Sequence, residues 1–163
     1  VQIDLPTVRR VLAMVDELFS FSQKLHPISI SIIDAEMDGR NGESIAVFGD
    51  DSCSGAIFLY RMWNDFGGRF TPATVLLHEL GHQLHFHLTG ALRRLPESFY
   101  AFLRQLGADD TNASDADMLE LFADTFLLAV IHKTKEFGDP FPEISEKIKE
   151  HCYSYIRNIL PTE

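Results

Sequence analysis

Val75-Leu76-Leu77-His78-Glu79-Leu80-Gly81-His82-Gln83-Leu84 decides the reading of this chain. It is an apolar run interrupted by H-E-x-x-H, and it follows Thr71-Pro72, an N-cap residue and a proline suited to the first helical position. The spacing predicts one helix over Pro72–Leu88. On a helix, residues i and i+4 project from one face, so the imidazoles of His78 and His82 can converge on a single ion. Glu79 stands about a hundred degrees further round, where its carboxylate reaches a water beside the ion without becoming a ligand. Gly81 removes side-chain bulk and permits close packing next to the site. The residue types and the spacing point to zinc, which takes three protein ligands and keeps a fourth position open in catalytic sites.

The third ligand has to come from elsewhere. The pattern that would supply it from the same helix needs Gly at position 85 and His at position 88, and those positions are His85 and Leu88. A later carboxylate remains. In Asp117-Met118-Leu119-Glu120-Leu121-Phe122-Ala123-Asp124, Glu120 and Asp124 stand one turn apart on a stretch otherwise rich in Leu, Phe and Ala. Two carboxylates on the inner side of an apolar helix need compensation, and an ion with its histidines supplies it. Glu120 is therefore expected as the third ligand. Asp124 is expected to accept a hydrogen bond from a ligating imidazole and orient it. His85 and His87 read as rim or core residues. His26, His132 and His151 read as isolated histidines with ordinary partners.

Working outward, Pro6 opens a first helix with apolar residues at Val8, Val11, Leu12, Val15, Leu18 and Phe19, running to about Leu25 before His26-Pro27. Ile28, Ile30 and Ile32 alternate with serines as a strand, Ile45–Phe48 and Ala56–Tyr60 read as two more, and Met37–Gly42 is a turn cluster. Beyond the motif helix the pattern predicts helices over Glu97–Leu106, from Ser114 or Asp115 to about Lys135, and from about Pro142 to Leu160. The plan is α+β: an N-terminal helix and a small sheet, then the active-site helix and C-terminal helices, in one domain over residues 1–163.

The chain has 163 residues, enough to bury a substantial core. Its net charge of −10 argues against nucleic-acid or anionic-membrane partners, which require clustered Lys and Arg. The longest apolar run, around Thr125–Ile131, is too short to span a bilayer, so no membrane insertion is expected. Cys53 and Cys152 have no metal-binding spacing and are read either as one disulfide or as two free thiols. The chain begins Val1-Gln2-Ile3 with neither an initiator Met nor a signal-peptide pattern, which points to an excised domain or a processed chain.

His78-Glu79-Leu80-Gly81-His82 followed by Glu120-Leu121-Phe122-Ala123-Asp124-Thr125-Phe126 resembles the catalytic domain of anthrax lethal factor and its relatives, including the Pro-Pro endopeptidases. The likeness takes in the Phe99–Gly107 segment and the last helix. It implies a zincin-like fold of the gluzincin type, one zinc ion on His78, His82 and Glu120, and Glu79 as the general base. The expected reaction is hydrolysis of peptide bonds in a protein or peptide substrate, and the expected setting is a secreted bacterial protein acting as a monomer. Asp124 stands where the family has Glu. The family also keeps an oxyanion-stabilising Tyr seven residues before the ligand Glu; here that position is Ala113, so Tyr100, Tyr153 and Tyr155 become the alternatives. Substrate is expected to lie extended along an edge strand, and Ala56–Tyr60 is read either as that edge or as an interior strand. Two other readings stay open: a zinc-binding module that recognises partners without catalysis, and an intracellular repressor-cleaving (ImmA-type) protease, whose second motif is E-x-x-A.

Overall fold

The computed structural model describes residues 2–48, 53–62, 69–90, 95–108 and 114–160. Among them are six helices and a three-stranded sheet: α1 (Leu5–Phe19), α2 (Phe21–Lys24), β1 (Ile28–Ile32), β2 (Gly42–Phe48), β3 (Cys53–Leu59), α3 (Pro72–Thr89), α4 (Glu97–Gln105), α5 (Asp115–Lys133) and α6 (Glu146–Ile159). This is the mixed α+β plan that the periodicities predict.

The helix starts follow local rules. Asp4 caps α1 by accepting from the Thr7 amide. Thr71 caps α3 through a reciprocal box with Thr74, and Ser114 caps α5 through the same device with Asp117. The first helix does not run on to Leu25. Ser20 adopts a left-handed conformation (φ 52°) and its amide bonds to Asp16 O, while the Asp16 carboxylate accepts from the amide and the hydroxyl of Ser22. A short polar side chain thus diverts the backbone and starts α2 as a separate turn. The last helix begins at Glu146, not near Pro142, because the Ser145 hydroxyl caps it by accepting from Ile148 N.

The sheet order is β1-β3-β2, with β1 parallel and β2 antiparallel to β3. Of Ala56–Tyr60, read as either an edge or an interior strand, Ala56 to Leu59 fall on the central strand β3, which is the interior reading. Its peptide groups are committed to both neighbours, and β2 is an edge instead.

One apolar cluster joins these elements. Its centre is α3 against α5, which are largely buried apart from the first turns and the last residue of α5 and the cleft-facing side chains. Leu76, Leu77, Leu80 and Leu84 of α3 meet Phe122, Phe126, Leu127 and Ile131 of α5, all almost fully buried. Phe126 packs on Phe19 and Phe21, tying the N-terminal helices to α5. Gly81 makes the helix crossing close: a Cβ there would stand 2.8 Å from Ala123 Cα and 2.9 Å from Ala123 O. No helix among the described residues is long and apolar enough to cross a membrane.

Candidate metal centre

The close crossing of α3 and α5 brings the two motifs together. His78 and His82, one turn apart on α3, set their rings edge to face with 4.8 Å between centroids and their Nε2 atoms 3.1 Å apart. The Glu120 carboxylate of α5 reaches both, with Oε2 2.9 Å from His78 Nε2 and Oε1 3.2 Å from His82 Nε2. These three side chains form the one such group of potential metal-binding residues among the described residues, with all ligand atoms within 4.8 Å of one another. Two donors on a tetrahedral zinc ion at roughly 2.0–2.1 Å are separated by about 3.4 Å, so this triangle is close to what such an ion requires. Asp124, one turn beyond Glu120, places Oδ1 2.8 Å from His78 Nδ1. It accepts the Nδ1 proton, which orients the ring so that Nε2 faces Glu120 and His82.

The electrostatics favour a cation at this point. Burial alone would depress His78, but the hydrogen bonds to Asp124 and Glu120 outweigh it and raise its pKa to about 10. The same contacts from His78 and His82 hold Glu120 well below the ordinary carboxylate range. Glu120 departs from expectation in one respect. Its side chain is 60% exposed, so it stands at an open cleft rather than on a buried face.

Glu79 is almost wholly buried, and desolvation pushes its pKa up. Its Oε2 is buried without a hydrogen-bond partner. Edge strand β2 lies directly above it. A Cβ at Gly42 would come within 3.0 Å of Glu79 Cγ and 3.1 Å of Oε1, and Ser44, on the same face, donates from Oγ to Glu79 O at 2.9 Å. The Gly42–Glu79 approach is invisible to sequence reading, because Gly42 looks like one more turn residue.

These groups line a cleft of about 720 Å³. Its polar wall is residues 39–44, and its apolar wall includes Phe70, Val75, Phe86, Ala116 and Leu119. Arg40 pairs with Glu43, which also accepts from the Tyr60 hydroxyl at 2.9 Å. Of the tyrosines singled out from the sequence, Tyr155 bonds to Ser98 and stacks on Phe102, Tyr153 packs on Phe19 beneath Lys133, and Tyr100 lies against the core; none lines the cleft. Ala113 lies outside the described residues. His85 lines the cleft floor and is buried, as its place beyond the motif suggested. His132 sits beside Glu146 and Tyr153, and His151 is exposed. His26 and His87, read as unconnected, are brought together, with Nδ1 atoms 3.4 Å apart.

Cys53 and Cys152 are both free thiols, and burial raises the pKa of each, that of Cys152 to about 12. They are therefore poor nucleophiles and poor ligands.

No family model matches the chain, and no curated protein and no solved structure matches it.

Proposed function

We propose that the chain is a zinc-dependent endopeptidase of the gluzincin type, similar to the lethal factor-like peptidases and sharing their zincin-like fold. The observation that carries this reading is the convergence of His78, His82 and Glu120 from two separate helices, with Glu79 beside them in the same cleft. Two imidazoles and one carboxylate suit zinc, and the open fourth position is what a catalytic site needs. Zinc held there would supply Lewis-acid chemistry, polarising a carbonyl and making water acidic near neutral pH.

The side chains of the protein do the rest. Glu79, raised by desolvation and free at Oε2, takes the proton of the attacking water and returns it to the leaving nitrogen. Asp124 holds His78 in the required tautomer. Strand β2 is an edge, and its first residues line the cleft above Glu79. An extended peptide is therefore docked along β2 by main-chain hydrogen bonds, with one side chain against the apolar wall of Phe70, Phe86 and Leu119.

The test is a peptide-library cleavage screen run with zinc and with chelator, alongside metal analysis. Wild-type protein should cleave and carry zinc on this site. Glu79→Gln should keep that zinc and lose at least about a hundredfold in rate. Glu120→Ala should lose zinc affinity. Cleavage by Glu79→Gln at the wild-type rate would remove Glu79 as the base, and unchanged zinc binding by Glu120→Ala would point to another third ligand.

A further inference from the structure

On the sheet-facing side of α3, His26 and His87 meet around Gln83. We propose that His26 and His87 form a second divalent-cation site, taking an ion of the zinc, nickel or copper class through their two Nδ1 atoms, with water completing the coordination.

The orientation of Gln83 carries the first step. Its Nε2 donates to Ile45 O at 3.0 Å and to Ala56 O at 3.3 Å, which uses both amide hydrogens on the strands β2 and β3. The atom facing His26 is therefore Oε1, which only accepts. His26 Nε2 lies 2.8 Å from it and must carry the proton. In neutral His26 the lone pair is then on Nδ1, and Nδ1 faces His87. A hydrogen bond to the far ring nitrogen is how proteins fix the tautomer and orientation of a ligating histidine.

The second step is distance. The Nδ1 atoms are 3.4 Å apart. Two nitrogens bound to one tetrahedral ion at roughly 2.0–2.1 Å stand about 3.4 Å apart, whereas an N–H···N hydrogen bond is ordinarily shorter. The separation of the two Nδ1 atoms matches that of two nitrogens sharing one ion.

The surroundings agree. Both histidines are half-buried, so the ion can keep water ligands. His87 lies in the last turn of α3, where the helix dipole favours positive charge. Gly55 makes room for the arrangement: a Cβ there would fall 1.9 Å from Gln83 Oε1 and 2.9 Å from His26 Nε2. Burial, with a further contribution from His26, lowers the pKa of His87 and favours its neutral, ligating form. An ion here would clip the segment before β1 to the end of the helix that carries the H-E-x-x-H motif.

The experiment is zinc titration of metal-stripped full chain by calorimetry, with total metal measured after gel filtration. The His78→Ala/His82→Ala double variant, which lacks the first site, should still bind one zinc ion. Adding His26→Ala or His87→Ala to it should weaken that binding at least tenfold, with circular dichroism confirming that each variant folds. In the otherwise intact chain, which needs no disruption of the first site, saturating uptake should fall from two ions to one in His87→Ala. A double variant that binds no zinc, or whose zinc is indifferent to His26 and His87, overturns the proposal. So does uptake of the same number of ions by the wild type and His87→Ala. None of these outcomes depends on hydrolysis, and the double-variant arm does not depend on zinc at the first site, so failure of the peptidase reading is distinguishable from failure of this one.

Discussion

Gly81→Ala tests whether the contact between α3 and α5 is what builds the site. The new Cβ would stand 2.8 Å from Ala123 Cα, 2.9 Å from Ala123 O and 3.0 Å from Phe126 Cβ. Two of those atoms are backbone and cannot rotate away. Ordinary contacts between carbon atoms lie near 3.5–4.0 Å, so the helices must part by roughly 0.7 Å or more. Overpacking of this kind costs about 1–3 kcal/mol, and the better helix propensity of alanine returns about 1 kcal/mol. A net loss of about 1 kcal/mol corresponds to a fall of about 2–4 °C in Tm for a domain of this size. The effect on metal should be larger in proportion. His78 and His82 ride on α3, Glu120 and Asp124 ride on α5, and ligand distances tolerate only about 0.2 Å. Zinc affinity should therefore fall at least about tenfold, the lower end of what disturbing the partners of a ligand costs. Thermal unfolding of metal-stripped protein would give the first quantity, and competition against a chromogenic chelator the second. A variant as stable as wild type with unaltered zinc affinity would refute the account of how the two motifs are held together.

Asp124→Asn leaves a side chain of the same size but removes the charge facing His78 Nδ1. Zinc affinity should drop by about 10–100-fold with the fold intact, and an unchanged affinity in the competition assay would dismiss Asp124 as the orienting group. Acid should loosen the docking of α6. Glu146 is drawn down to about 2, first by the hydrogen bond from Lys135, and Asp139, despite burial that would raise it, is lowered by Lys149. A carboxylate depressed in the folded state stabilises above its ordinary pKa and loses that contribution as pH falls through the folded value. The loss attributable to Glu146 should thus appear between about pH 4.5 and about 2 and should shrink with added salt. Glu146→Gln should flatten this part of a stability-against-pH curve, and a curve identical to that of wild type would exclude the contribution.

Much of the site was legible in the sequence because it rests on local rules. Thr71 and Pro72 start α3 and Ser114 starts α5 through caps that span three residues. Helical geometry alone puts His78 and His82 on one face and Glu120 and Asp124 on another. The choice of Glu120 as third donor follows from elimination and from the polarity of its neighbours. Its exposure does not, because the openness of a cleft depends on what fails to cover it.

Local signals in the chain account for most of the helices, for the caps of α3 and α5, and for the facing positions of His78, His82, Glu120 and Asp124, since each is encoded within a few residues by periodicity and side-chain chemistry. Tertiary structure decided that β3 is central and β2 an edge, because three short apolar strands can pair in several orders and only their packing on α3 selects one. It decided that Gly42 and Ser44 cover Glu79, that Gly55 leaves room for Gln83 against His26, and that His26 finds His87. These are contacts between residues 35 to 61 positions apart, where no local preference acts and only the shape of the packed core brings the partners into reach.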